Sequence, residues 1–413
     1  MAATATGDTH DMKLVCPSRR TINLAISATA AATALGMTAF APVALAASKT
    51  EIKLGNTVPY SGPASFYGAV GQATVAYFAK VNDEGGINGR KVTVISLDDA
   101  LQPPKTVEQV RKLVEQEEVD AIVNQVGTAA SSSVRQYLNQ KGVPQLFVQS
   151  GSNNFQQPKA FRFSTSALMS YEFEAKVYGQ TIGRDKPNAK VGIIYQNDDY
   201  GKDYLRGLKA GWGKPLTSEI TYEQTDPTLD SQIIALRASG ADVVILAAYS
   251  KQVSQSLRKM NELGWKPEVW ISHVSAQVHP TLSIVGLENV IGVMTAAVIK
   301  DPSDPTWQND ADYKAWLAWM KKYQPKGDIE NSVYASVYAS SAAIAHVLKL
   351  AGDDLSRENI LKASLTLKDF AAPMLLPGIT MSMAPDNYNL FRKIQLMRFD
   401  GKRWVPMGKP VGE

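Results

Sequence analysis

The polar and aromatic residues best placed for chemistry fall in six short segments, each following an apolar run. Residues 59–68 bring Phe66 and Tyr67 to the start of a helical stretch. Residues 127–133 supply Thr128 and three serines where a helix opens, and residues 149–154 supply Ser150, Ser152 and two asparagines. Free backbone N–H groups and hydroxyls at a helix N-terminus suit a carboxylate. The same residues also serve as ordinary caps of a strand-to-helix turn, and the sequence leaves both readings open. In the second half, residues 197–201 carry Asp198, Asp199 and Tyr200, residues 247–250 carry Tyr249, and residues 271–275 carry His273. Any one segment is ordinary. Six of them, three from each half, point to a small-molecule site made of strand-end loops.

Covalent chemistry finds less support. There is no G-x-S-x-G elbow and no H-E-x-x-H pair. Residues 207–214 have the outline of a phosphate loop, but five residues separate Gly207 from Gly213 and Pro215 stands where Ser or Thr is needed, so they read as a helix end. Asp98 and Asp99 read as exposed loop acids. The lone Cys16 excludes a disulfide framework, and no Cys/His spacing suits zinc, so no cofactor and no metal are expected. The chain has 413 residues, with 43 Lys/Arg against 39 Asp/Glu. A net charge of +4 without a dense basic block argues against nucleic acid as a partner.

The elements that must position these segments alternate between two periodicities. Apolar, β-branched runs at 52–58, 91–97, 119–126 and 143–148 read as strands. Helical periodicity falls between them at 68–81, from Thr106 with Gln109 as a capping-box partner, and at 131–140. A second run of the same kind begins near Met169. It has strands at 191–195, 219–222, 243–247 and 269–271, and helices at 204–212, 230–238 and 253–263. This rhythm predicts an α/β fold with two doubly wound parallel sheets, whose ligands sit beyond the carboxyl ends of the strands. Residues 332–350 read as a long small-residue helix, and 394–399 with 403–405 as a hairpin.

The first 46 residues read as a cleaved signal peptide. Arg19-Arg20 precede an apolar, Ala-rich run, and Ala44-Leu45-Ala46 forms a small-x-small cleavage site. The arginine pair fits a twin-arginine signal in part, with an ordinary secretory signal as the alternative. Asp8 and Asp11 are unusual so early in a signal, which makes Met12 a second candidate start. Cys16 leaves with the signal, and no later stretch reads as long and apolar enough to span a bilayer. An exported protein folding without disulfides is expected.

Five segments carry a family resemblance: Ser61-Gly62-Pro63 with Tyr67-Gly68, residues 82–89 (NDEGGING), Asp98-Asp99, Asp198-Asp199-Tyr200-Gly201, and residues 240–244 (GADVV). They resemble the type I periplasmic solute-binding proteins of ABC transporters, in the leucine/isoleucine/valine-binding family. The resemblance runs from about Ile52 to the C-terminus. It implies two lobes joined by a three-strand hinge, with crossings near 163–167, 295–298 and 371–375. Residues 47–165 plus 297–372 would form lobe 1, and 166–296 plus 373–413 lobe 2. It places the carboxylate-holding hydroxyls and amides on Thr128, Ser150 and Ser152, and site-lining aromatics on Tyr67, Tyr200 and Tyr249. His273 falls where amino-acid binders commonly carry the acidic partner of the ligand ammonium. Burying an ammonium without an anion costs several kcal/mol. An acid or amide lacking an α-ammonium is therefore expected, with Asp198 or Asp199 as the alternative source of negative charge.

The resemblance further implies a monomer in the periplasm that closes over one solute and passes it to a membrane permease. Rival readings are a sensor feeding a receptor or kinase, and a secreted α/β enzyme. The seven tryptophans are expected to pack helices and lobe surfaces.

Overall fold

The computed structural model describes residues 50–412; the signal-peptide reading and Cys16 lie outside the described residues. The first sheet is built from β1 (Glu51–Val58), β2 (Lys91–Asp98), β3 (Ala121–Val123), β4 (Gln145–Val148) and β5 (Ser164–Ser166), all parallel, in the order β2-β1-β3-β4-β5. Three helices alternate with these strands: α1 (Ala69–Asp83), α2 (Pro103–Glu115) and α3 (Thr128–Gln140).

After α4 (Tyr171–Asp185) the pattern repeats with β6 (Val191–Gln196), α5 (Asp199–Trp212), β7 (Ser218–Tyr222), α6 (Asp230–Ala238), β8 (Val243–Ala247), α7 (Ser250–Glu262), β9 (Glu268–Ile271) and β10 (Met294–Ala297). Helices α8 (Ala311–Tyr323), α9 (Ser332–Ala351) and α10 (Arg357–Ser364) follow, then β11 (Lys393–Phe399), β12 (Trp404–Pro406) and β13 (Val411–Gly412). The second sheet runs β12-β11-β10-β9-β8-β6-β7, with β11 antiparallel to its neighbours and β13 paired to β11. The molecule thus has two doubly wound α/β lobes. Strand order reverses at β1/β3 and at β6/β8. A crevice at such a reversal receives the ligand, so residues 59–68, 124–128, 197–201 and 248–250 border it.

The chain passes between the lobes three times. It leaves the first sheet after β5 and builds the second up to β10. It then returns to pack α8 and α9 on α1, where the Trp319 indole N–H donates to the Ala76 carbonyl and the Tyr334 hydroxyl to Gln72. The second and third passages lie side by side. Lys300 N–H donates to the Met374 carbonyl and Leu376 N–H to the Val298 carbonyl, each at 2.8 Å.

Helices α4 and α5, which carry much of the site, pack with backbones almost touching. A Cβ on Gly207 would lie 2.1 Å from the Glu172 carbonyl oxygen, and one on Gly211 2.0 Å from that of Lys176. Only glycine fits at such a distance. Gly211→Ala is expected to force the pair apart and lower stability by about 1–3 kcal/mol. A urea titration would show a lower midpoint at unchanged slope.

Several expectations need correction. Thr106 does not open α2. The helix starts at Pro103, where a missing N–H costs nothing, and the Thr106 hydroxyl lies one turn in, within 2.9 Å of Asp99 Oδ2. Helices α3, α5 and α7 begin three to five residues earlier than their apolar periodicity suggested, because their first turns are polar: Thr128, Asp199 and Ser250. Asp99 is fully buried, not an exposed acid; burial pushes its carboxyl up, although Leu101 N–H and the Thr106 hydroxyl donate to it. Helix α9 is long and apolar enough to cross a membrane, contrary to the sequence reading, but most of it is buried inside the protein. Residues 207–212 do end a helix, closed by Gly213 in the left-handed region at φ 69°.

Candidate functional site

A cavity of about 280 Å³ lies between the lobes and is walled mainly by apolar side chains. From the first lobe come Tyr67, Val126, Gly127, Gln149 and the α9 face of Val333 and Val337; from the second come Tyr171, Tyr249, His273, Val274 and Gln277. The passages between the lobes supply Ala297, Val298, Ile299 and Leu376, and Trp307 and Trp404 complete the far wall. These two tryptophans line the cavity instead of packing helices.

Tyr67 bridges the lobes. Tyr67 lies in a short 3-10 turn, Ser65–Gly68, after β1. Its hydroxyl sits 3.1 Å from Ser250 Oγ at the start of α7 and donates to the Val274 carbonyl at 3.2 Å. Its ring lies 5.6 Å from that of Tyr249. Tyr249 stacks on Tyr200 with centroids 5.2 Å apart and planes 4° from parallel, and Tyr171 meets Tyr200 edge-on at 4.8 Å. Burial raises the Tyr67 and Tyr249 hydroxyl pKa values, so both remain donors.

Not every residue expected at the site reaches it. Tyr67, Tyr249 and His273 line the cavity together. Thr128, Ser150, Ser152 and Tyr200 are buried behind its wall. The Thr128 and Ser150 hydroxyls bond each other at 2.7 Å, Ser150 Oγ accepts from Ser152 N–H at 3.2 Å, and Ser152 Oγ caps the next turn through Asn154 N–H at 3.3 Å. The Tyr200 hydroxyl donates to the Ala248 carbonyl at 3.2 Å. In front of them stand Val126, Gly127 and Gln149, because Gly127 turns at φ 89° as β3 ends and brings its backbone to the cavity.

The anion beside His273 is neither Asp198 nor Asp199. Asp198 caps α5 through Gly201 N–H at 3.2 Å, and burial pushes its carboxyl up to about 6. Asp199 accepts from Asn154 Nδ2 at 2.7 Å. The neighbour of His273 is Glu174 on α4, fully buried, whose Oε2 lies 2.5 Å from His273 Nδ1 and whose Oε1 accepts from His273 N–H at 3.0 Å. A carboxylate accepts, so Nδ1 donates. His273 Nε2 is buried, has no protein partner and belongs to a ring that lines the cavity.

Asp301 is an acid that does line the cavity. Burial pushes its carboxyl up to about 6, against donation from Ser303 N–H at 2.9 Å and the Ser303 hydroxyl at 2.8 Å. An unfolded Asp ionises near about 3.9. Between the two values the folded protein holds a proton that the unfolded chain has lost, so this group makes stability fall as pH rises from about 4 to about 6. Asp301→Asn is expected to raise the neutral-pH melting temperature and to flatten its decline over that window. Thermal denaturation at pH 4, 5, 6 and 7 measures both.

A sequence model of the periplasmic binding protein family matches residues 51–403. The chain belongs to the periplasmic binding protein family. Within it, the likeness runs to the type I, leucine/isoleucine/valine-binding group. A Leu/Ile/Val-binding protein homolog of Brucella abortus is 24% identical over 378 residues, 86% of this chain and 91% of that protein. A branched-chain amino acid ABC transporter protein from Thermus thermophilus, solved with bound valine, superposes with a TM-score of 0.79 at 16% identity. That match covers 89% of this chain and 97% of the other. A fatty acid ABC transporter substrate-binding protein from Thermomonospora curvata gives 0.70 at 21% identity, covering 88% and 93%. These periplasmic binding proteins share the fold.

Proposed function

We propose that the chain is the solute-capturing component of an ABC uptake system, which closes over a small hydrophobic carboxylate and hands it to a membrane permease. The carrying observation is the apolar cavity between the lobes, bridged by Tyr67 and lined in part by the ring of His273, whose buried Nε2 has no protein partner. An apolar cavity with few polar groups fits a ligand with a hydrophobic body and one polar head. The two-lobe layout supports domain closure, in which lobe 1 (47–165 plus 297–372) and lobe 2 (166–296 plus 373–413) hinge about the three passages and Tyr67 latches them. No bond is made or broken in the solute. Proteins likened to this one are named for branched-chain amino acids and for fatty acids, so the fold accommodates hydrophobic carboxylates with and without an amino group. The export signal, cut after Ala46, delivers the protein to the periplasm.

A thermal-shift screen of the chain from Ala47 tests this reading. A ligand that binds only the folded state raises the melting temperature with its concentration. Hydrophobic acids or amino acids are expected to raise it, and sugars and polyamines to leave it unchanged. A response to sugars or polyamines alone would refute the reading.

A further inference from the structure

We propose that the hinge end of this cavity is a subsite for an ammonium group, with Asp301 as its anion, so that the solute carries an amino group on its hydrophobic body. The inference rests on the cavity being the solute site and adds where the head of that solute is held.

Asp301 follows Lys300, whose N–H joins the second passage between the lobes to the third through the Met374 carbonyl. Its side chain lines the cavity. Oδ1 accepts from Ser303 N–H at 2.9 Å and from the Ser303 hydroxyl at 2.8 Å, whereas Oδ2 has no hydrogen-bond partner among the described residues. No cation among those residues pairs with this carboxylate. Lys300 is committed to Asp310 and Asp312 at 2.8 and 3.0 Å, and Arg403 to Asp304 at 3.4 Å. Burial, and then the charges of Asp304 and Glu330, push the Asp301 carboxyl up to about 6, which leaves it ionised at neutral pH. An enclosed carboxylate without a cation is costly, and a ligand ammonium removes that cost by pairing with Oδ2.

The walls around Asp301 suit the same group. Trp307 and Trp404 line the cavity with it. Trp404 donates its indole N–H to the Ala276 carbonyl at 2.8 Å, which leaves its ring as the part offered to a ligand. Aromatic faces attract ammonium groups. Arg403 also lines the cavity and keeps N–H groups beyond its one contact with Asp304, so a carboxylate on the same solute finds a donor there.

The other nearby acids are committed. Asp304 accepts from Thr306 N–H at 2.9 Å and from Arg403 Nη1 at 3.4 Å. Glu174, behind His273, accepts from the Tyr178 and Tyr204 hydroxyls and from His273 N–H and Nδ1, so its two oxygens already serve four donors. Asp301 is therefore the cavity-lining carboxylate with an oxygen to give. This reverses the preference for amino-free acids expected from His273 alone.

The test is isothermal titration of the chain from Ala47, at neutral pH, with three matched pairs of probes: leucine and phenylalanine, their decarboxylated amines isoamylamine and phenethylamine, and their deaminated acids 4-methylpentanoic acid and 3-phenylpropanoic acid. The amino acids are expected to bind about tenfold or more tighter than the acids, and the amines also tighter than the acids. Asp301→Asn keeps the size of the side chain and removes its charge. It is expected to weaken the amino acids and amines by about tenfold or more, and to leave the acids within about threefold or tighter. A merely structural role would weaken all three pairs alike, so equal losses overturn the role given to Asp301. So does a preference for the amino compounds that survives Asp301→Asn. Acids binding as tightly as the amino acids overturn the subsite while leaving the solute-binding reading intact. No binding of any of the six overturns both.

Discussion

Replacing Glu174 by alanine is expected to lower the free energy of unfolding by about 3–5 kcal/mol, the largest effect of any single substitution considered for this protein. The side chain is completely buried and accepts four hydrogen bonds, from Tyr178, Tyr204 and both nitrogens of His273 that face it. Truncation leaves those donors facing a void in a region too tightly packed to collapse, since α4 and α5 already touch at Gly207 and Gly211. A chemical-denaturation curve measures the loss directly. A change under about 1 kcal/mol would mean that water replaces the carboxylate and that the site is far more open than its geometry indicates.

The second large effect falls on binding. Tyr67→Ala is expected to weaken any ligand of the cavity by about 10- to 100-fold, because it removes the hydroxyl bridge to Ser250 and Val274 and the ring contact with Tyr249. Those contacts join the two lobes, so under the proposed closing mechanism their loss taxes closure and not folding. Tyr67→Phe keeps the ring and is expected to cost less, roughly threefold to tenfold. Titration calorimetry separates the two. Small-angle scattering of the ligand-saturated Ala variant adds a check, since a latch mutant requires more ligand to reach the compact form. Equal affinities for the wild type and both variants would remove Tyr67 from the closing mechanism.

The sequence revealed the architecture more fully than the site, for a physical reason. Elements whose apolar residues recur cleanly were located to the residue, as with α6 at Asp230–Ala238 and β8 at Val243–Ala247. Helix starts slipped where the first turn is polar, as at Asp199 and Ser250. Strand β3 proved shorter than its apolar run because Asn124, at φ 49°, interrupts the regular pairing, which resumes only as a single bridge between Val126 and Gln149. Helices α4, α8 and α10 were not delimited. The capping signal for α4 was present in Ser170, whose hydroxyl accepts from Phe173 N–H at 3.2 Å.

Strand-end position picked out Tyr67, Tyr249 and His273, three residues that line the same cavity. It did not reveal that the Thr128 and Ser150 hydroxyls satisfy each other, which depends on a contact between segments 22 residues apart. Glu174 was invisible for the same reason. A glutamate in an amphipathic helix looks solvent-facing, and two of its partners lie 30 and 99 residues along the chain. The available sign was its place among Tyr171, Ala175 and Tyr178, on a face that has to be buried.

The most direct test of the account is a crystal structure of the chain from Ala47 with 3-phenylpropanoate. The account predicts the ligand enclosed in the cavity between the lobes, with its phenyl group between Val298, Trp307 and Val337. A ligand bound outside this cavity, or none bound at saturating concentration, would contradict it.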